Sequence, residues 1–387
     1  MPDKNNTFDA IIVGAGSVGV PAAVALAQEK LRVLVVDELS ANAQGQGKAA
    51  IGGIRATHSD GAKITACLRS LEIFSGWKDA HGDDIGWIKG GYTFPAYNES
   101  DENMMRELLK VQKKFGLNID WLNAEEMLRL VPGLNPAGLR GGTLSPDDGS
   151  ASTLLSNTAF YRRAGALGAE FRFKEKILSA VIEKGVVKGI TTAGGTVYAP
   201  AVLNCAGASA REVAALFGVD SPVSPDMHEA GITEPVAMLF KPMVVDIRPA
   251  ETSKNFYFYQ NHEGQILFCM TPRPTLWGKN TDSTSSFLPA IAKRMVEIMP
   301  RFANVKVRRT WRGLYPMTPD GFPIVHRYDS PKGYIAAIGM CGQGFMLGPG
   351  LGELLARLVT GKSTATDGMI LAGFSADRSF SGTEKFA

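Results

Sequence analysis

The alternation of apolar and polar positions divides the chain into short buried strands and helices from its start. Asp9-Ala10-Ile11-Ile12-Val13 is an apolar run of strand length, and Leu31-Arg32-Val33-Leu34-Val35-Val36-Asp37 is a second that ends on an acid. Runs apolar on both faces suit a parallel sheet covered by helices. Between them lie Gly14-Ala15-Gly16-Ser17-Val18-Gly19 and a helix of small residues. Helical spacing returns over residues 60–81, where Ile64, Cys67, Leu68, Leu71 and Phe74 form one apolar face. A charged helix is expected over 102–115, and Pro132-Gly133-Leu134-Asn135-Pro136 punctuates a loop. Residues 153–167 read as a helix, followed by a hairpin of 176–182 and 186–190 that turns at Lys184-Gly185, and then a buried strand over 201–204. From about 221 to 307 the pattern is β-rich, with Phe256-Tyr257-Phe258-Tyr259 alternating across a strand, and a helix over 288–299 closes it. A strand over 334–339 and a helix running through Val359 complete the reading.

The opening segment carries the first chemistry. A strand, a Gly-x-Gly-x-x-Gly turn, a helix and a second strand ending in an acid is the layout that binds a dinucleotide. Gly14 permits the tight turn, Gly16 lets the backbone approach a pyrophosphate, and Gly19 lets the helix lie close to the strand, while the helix N-terminus offers N–H groups and partial positive charge. Asp37 stands where a carboxylate takes the ribose hydroxyls of an adenosine. The motif alone leaves FAD and NAD open. The continuation favours FAD: where a nicotinamide domain keeps alternating strand and helix, this chain turns to Gln44-Gly45-Gln46-Gly47-Lys48-Ala49-Ala50-Ile51-Gly52-Gly53-Ile54-Arg55, a backbone-rich stretch for a ligand to touch.

Composition narrows the partners. The 387 residues suffice for about two domains with a large core. With 41 basic and 38 acidic residues the net charge is +3, too small a field to recruit nucleic acid or an anionic membrane. No stretch approaches the length of a membrane span, and Met1 to Thr7 lack the apolar core of a signal peptide, so the chain reads as cytoplasmic. Cys67, Cys205, Cys269 and Cys341 are scattered without CxxC pairs, which supports free buried thiols and no metal site.

Taken together, the opening glycine motif, Gly53-Ile54-Arg55, Asn204-Cys205-Ala206-Gly207, Thr318-Pro319-Asp320 and the run from Gly339 to Met346 resemble the D-amino-acid-oxidase-like FAD enzymes. That family includes glycine oxidase, sarcosine oxidases and dye-linked L-proline dehydrogenases. The resemblance spans nearly the whole chain and is strongest to the β subunits of heteromeric sarcosine oxidase and proline dehydrogenase. It implies an α/β (α+β) flavoprotein of two dinucleotide-binding folds: a Rossmann-like FAD domain from residues 1–85, 146–220 and 308–387, and a discontinuous substrate domain with an antiparallel sheet from 86–145 and 221–307. The implied reaction is oxidation of a C–N bond in an amino acid or secondary amine, by hydride transfer from the α-carbon to flavin N5. The implied partners are that small substrate and either a heteromeric partner subunit or another electron acceptor. A nicotinamide-dependent dehydrogenase and a non-catalytic electron-relay subunit are the alternatives.

Carried over position by position, the resemblance implies that Gly14, Gly16, Ser17, Val18 and Gly19 hold the pyrophosphate and that Asp37 and Glu38 face the adenosine ribose. Gln46, Gly47, Lys48 and Ala49 approach the phosphates from the other side, Ile177 presents its backbone to adenine, and Ala206 and Gly207 border the cofactor. Gly53, Ile54, Arg55, Gly313 and Leu314, with Gly342, Gln343, Gly344, Phe345 and Met346, surround the flavin, where a helix N-terminus favours its anionic reduced form. Gly313 aligns with a cysteine that attaches FAD covalently in some members, so non-covalent binding is expected. For the substrate the candidates are Arg55, His58, Tyr257, Tyr259 and Met346. His58 and Met346 align with carboxylate-binding basic residues of monomeric sarcosine oxidase, and both departures argue against a simple sarcosine site. Core packing explains Tyr257 and Tyr259 as well as pocket lining does. Arg312 is read either as a carboxylate ligand or as a stacking partner of Trp311, and His228 as a structural or a substrate-facing histidine.

Overall fold

A computed structural model describes residues 6–385; residues 1–5, on which part of the signal-peptide reading rests, lie outside the described residues. The two early apolar runs become strands Ala10–Val13 and Val33–Asp37, which pair in parallel at the centre of a six-stranded sheet. Its order is Ile324–Arg327, Tyr334–Ile338, Ala201–Asn204, Ala10–Val13, Val33–Asp37 and Glu170–Phe173, parallel except for the first pair. Alternation decides the two faces. Ile12, Val35 and Leu203 point into one core with the helices, whereas Ile11, Leu34, Val36 and Val202 point into another beneath the antiparallel strands Ile177–Glu183, Val186–Thr192 and Gly195–Tyr198.

Helices Gly19–Gln28, Gly61–His81, Thr153–Ala166 and Gly344–Thr360 pack on the first face. Asp60 starts the second by accepting from the backbone N–H groups of Ala62 (2.9 Å) and Lys63 (3.2 Å). Glycines let the last helix lie directly on its neighbours: a Cβ at Gly352 would stand 2.8 Å from the backbone of Pro21, and one at Gly348 would overlap the Ser17 carbonyl. Chain start and chain end are thereby clamped together under the sheet.

The second sheet has eight strands, in the order Val307–Met317, Ser224–Thr233, Ile266–Pro272, Ser253–Gln260, Met243–Asp246, Tyr92–Ala96, Gly141–Ser145 and Asp120–Asn123. It is antiparallel except where Met243–Asp246 runs parallel to Tyr92–Ala96. Phe256, Phe258 and Phe268 face the helix Phe287–Ile298, while Tyr257, Tyr259 and Cys269 take the opposite face, which turns toward the six-stranded sheet's ligand edge. Residues 307–317 hydrogen-bond along Ser224–Thr233 as the edge strand of this second sheet. Among the described residues no helix is long and apolar enough to cross a membrane.

Candidate active site

One cavity of about 820 Å3 runs from the Gly14 turn to the inner face of the eight-stranded sheet. Its first end is built by the strand-turn-helix unit. Gly14 sits at φ +110°, and a Cβ there would stand 2.5 Å from the Cys205 carbonyl, so both close approach and backbone conformation require glycine. Gly16 has open space where its side chain would be, on the cavity side. Ser17 lines the same wall, and its buried Oγ has no hydrogen-bond partner among the described residues. Asp37 closes the turn by accepting from the Ala15 N–H (2.7 Å) and the Leu39 N–H (2.8 Å), and it also lines the cavity.

The glycine-rich loop forms the roof and is pinned from three directions. Gln46 accepts from the Ala208 N–H (3.3 Å), Trp311 Nε1 donates to the Ala49 carbonyl (2.8 Å), and the Tyr259 hydroxyl donates to the Ile51 carbonyl (2.5 Å). From below, Gly342, Gln343, Gly344, Phe345 and Met346 bring the start of the helix Gly344–Thr360 to the cavity. The first N–H groups of a helix lack intrahelical partners and carry partial positive charge. Gln343 adds a buried Oε1 without a partner. An elongated cradle with orphaned polar atoms, a bare glycine at its turn and two helix N-termini fits a dinucleotide.

The far wall follows from strand register. Val245, Tyr257, Cys269 and Ala230 stand side by side on neighbouring strands, and Asn255, Thr271, His228 and Gly313 form the next row. All eight line the cavity. Asn255 accepts from Thr271 Oγ1 at 2.8 Å. The hydroxyls of Tyr257 and Tyr315 lie 2.5 Å apart. Burial pushes both phenols well above their ordinary range, so they stay protonated donors. His228 stacks on Tyr315 and donates Nε2–H to Asp226 at 2.9 Å, while its Nδ1 has no partner. Burial lowers its pKa in spite of Asp226, which leaves a neutral imidazole at pH 7.

Arg55 lines the cavity as the cation at this end. Its guanidinium is buried, bonds the Thr57 carbonyl and lies 3.3 Å from His58 Nδ1. Nearby, Asp148 accepts from the Ala56 N–H (2.9 Å) and Thr57 Oγ1 (2.6 Å), and burial pushes its carboxyl up to about 6.

Most of the expected positions thus meet at one cavity, and several do not. His58 is fully buried behind Arg55, lodged near Cys67, Lys63 and Glu384, and does not line it; the chain turns inward after Ala56. Tyr259 is held under the loop by its bond to Ile51 and lies outside the wall. Gly19 packs on the Gly14 carbonyl, Ile54 is fully buried, and Lys48 is exposed, all three away from the cavity surface. Arg312 is neither a cavity ligand nor stacked on Trp311: it pairs with Glu229 at 2.8 Å, and that carboxylate also accepts from Thr284. Asp226, Tyr315, Asn255 and Thr271 were absent from the sequence candidates, since only cross-strand register reveals them. The pair His228 and Asp226, two residues apart on a β-strand, was the one readable signal.

A dinucleotide cradle that continues without interruption into a chamber walled by a second sheet defines a flavin-dependent oxidoreductase. Residues 9–358 match the DAO family, FAD dependent oxidoreductase, and the chain belongs to it; its cofactor is FAD. It is 24% identical over 369 residues to glycine oxidase of Bacillus licheniformis (93% of this chain, 95% of the relative). Against sarcosine oxidase subunit beta of Arthrobacter sp the identity is 24% over 375 residues (92% and 88%). The solved L-proline dehydrogenase from P. horikoshii superposes with a TM-score of 0.89 at 26% identity, covering 96% of this chain and 97% of that one. The nicotinamide alternative is thereby set aside.

Proposed function

We propose that this protein oxidises the C–N bond of an amino acid or secondary amine, of the proline, hydroxyproline, sarcosine or opine-like class. The observation that carries this reading is the continuity of the cradle with a chamber whose wall holds Arg55, Tyr257, Tyr315 and His228 in one cavity. FAD, which the cradle would hold non-covalently, would supply a two-electron acceptor at N5 for a hydride from the substrate α-carbon, leaving an imine for hydrolysis.

The chain's part is to bind and orient. Arg55 supplies positive charge for a substrate carboxylate or for the flavin itself, and the Tyr257 and Tyr315 hydroxyls supply neutral donors. His228, with Nε2–H committed to Asp226, presents only a lone pair on Nδ1. That nitrogen can accept a hydrogen bond from a substrate that binds as the free-base amine. Val245, Ile247, Ala230 and Met346 add apolar surface beside Asn255 and Thr271, which suits a substrate with more apolar surface than sarcosine. Similarity to sarcosine oxidase subunit beta supports a place in a heteromeric enzyme, and four buried free thiols suit the reducing cytoplasm.

The test is anaerobic mixing of the purified flavoprotein with proline, hydroxyproline, sarcosine, glycine and opine-type amines. Bleaching of the flavin absorption by a member of this panel is expected. No bleaching by any of them supports the electron-relay alternative instead.

A further inference from the structure

The C-terminal segment carries a buried charge into the region behind Arg55. Glu384 accepts through Oε1 from the Ser59 N–H (3.2 Å) and Ser59 Oγ (2.7 Å), and its Oε2 lies 3.1 Å from Lys63 Nζ and 3.9 Å from His58 Nδ1. Neither the Lys63 nor the Glu384 side chain is exposed. Lys63 also donates to the Gly321 carbonyl (2.7 Å) and sits over the Phe322 ring. The segment is fastened by Arg378, whose guanidinium grips both oxygens of Asp320 at 2.8 and 3.0 Å, and by the Glu384 N–H, which donates to the Asp320 carbonyl. His58 Nδ1 faces both groups, 3.3 Å from the Arg55 guanidinium and 3.9 Å from the Glu384 carboxylate.

Burial opposes ionisation of Glu384, yet Lys63, Ser59 and Arg55 together hold its carboxyl well below the usual range. The group therefore gathers two cations, Arg55 and Lys63, two carboxylates, Asp148 and Glu384, and one imidazole that burial keeps neutral. Charges enclosed in this way are poorly screened by solvent. A flavin gains negative charge on reduction, so the balance of this cluster acts on its readiness to take electrons.

We propose that Glu384 is a positioning residue for the oxidation: paired with Lys63 and sharing the His58 Nδ1 corner with Arg55, it sets the charge balance at the flavin end of the cavity. The inference rests on the reading that Arg55 borders the flavin. Removing Glu384 leaves Lys63 uncompensated and makes reduction easier; removing Lys63 makes it harder; removing both restores the balance. A contact that served only to hold the tail would weaken the site in the same direction in both variants.

The experiment uses the FAD-loaded protein and two readouts other than turnover: the flavin midpoint potential by dye equilibration, and the dissociation constant of the anionic adduct that sulfite forms with oxidised flavin. E384Q is expected to bind sulfite about tenfold more tightly with a raised potential, and K63M about tenfold more weakly with a lowered one. For a two-electron couple tenfold corresponds to about 30 mV. K63M/E384Q is expected near the wild type on both readouts. Since a buried ion pair exchanged for neutral groups is often tolerated, the double variant carries the test if either single one loses flavin: a shifted potential there overturns the proposal. Equal or same-direction shifts in the single variants overturn it as well. Arg55→Met separates the two levels. If it moves the potential while E384Q does not, the inference about Glu384 falls and the flavin placement stands; if neither moves it, both fall.

Discussion

The ring of His228 lies flat on that of Tyr315, with centroids 3.8 Å apart and planes within 16°. The stack and the bond to Asp226 fix both the plane of the imidazole and the nitrogen that carries its proton. Substituting His228→Phe keeps the stack and removes the acceptor. Steady-state kinetics on a substrate that bleaches the flavin should then show kcat/KM lower by on the order of a hundredfold, with flavin content unchanged. An unaltered kcat/KM would reduce His228 to packing.

Tyr259→Phe should separate the two tyrosines of one strand face. Its hydroxyl bonds the Ile51 carbonyl rather than the cavity, so the variant should lose about 1 kcal/mol of stability and keep its KM. Tyr257→Phe, by contrast, should raise KM. Denaturant unfolding and steady-state kinetics on both proteins decide between these assignments.

Gly14→Ala should abolish flavin binding. The added Cβ meets the Cys205 backbone in a left-handed conformation, a combination that costs about 2–4 kcal/mol. Flavin absorbance per protein after purification measures the loss, and a fully loaded variant would contradict the cradle described here.

The pH dependence of stability carries the signature of Asp148. Burial raises its folded pKa to about 6 from 3.8, so between these values the folded state holds a proton that the unfolded state has released. Its contribution is therefore fully present below pH 4 and lost as pH rises through 6, by roughly 3 kcal/mol. Asp148→Asn removes this term. Denaturant unfolding of both proteins from pH 4 to 7 should show the wild type losing ground to the variant as pH rises, with a flat difference as the contrary result.

What the sequence discloses here is whatever depends on neighbours along the chain. The strand, turn and helix over residues 10–37 could be read because the motif is local, and Tyr257 because strand alternation puts it opposite Phe256 and Phe258. Alternation could not tell Tyr257 from Tyr259: both share a face, and only the loop crossing at Ile51 covers one, about 7 Å along the strand. The resemblance likewise implies a substrate-facing His58, whereas the backbone turns the ring into the interior behind Arg55. Lys63 reads as an ordinary helix-surface charge until the tail brings Glu384 to it. The wall pairs Asn255 with Thr271 and Tyr257 with Tyr315 depend on register between strands far apart in sequence.

The close seat of Gly348 and Gly352 on Ser17 and Pro21 also bears on how the protein matures. The cofactor cradle joins residues 14–19 to residues 342–346, so a chain emerging from the ribosome lacks a complete cradle until the helix Gly344–Thr360 has been made. Flavin acquisition thus waits on that helix, and until then the face of the small-residue helix that Gly348 and Gly352 cover stays open.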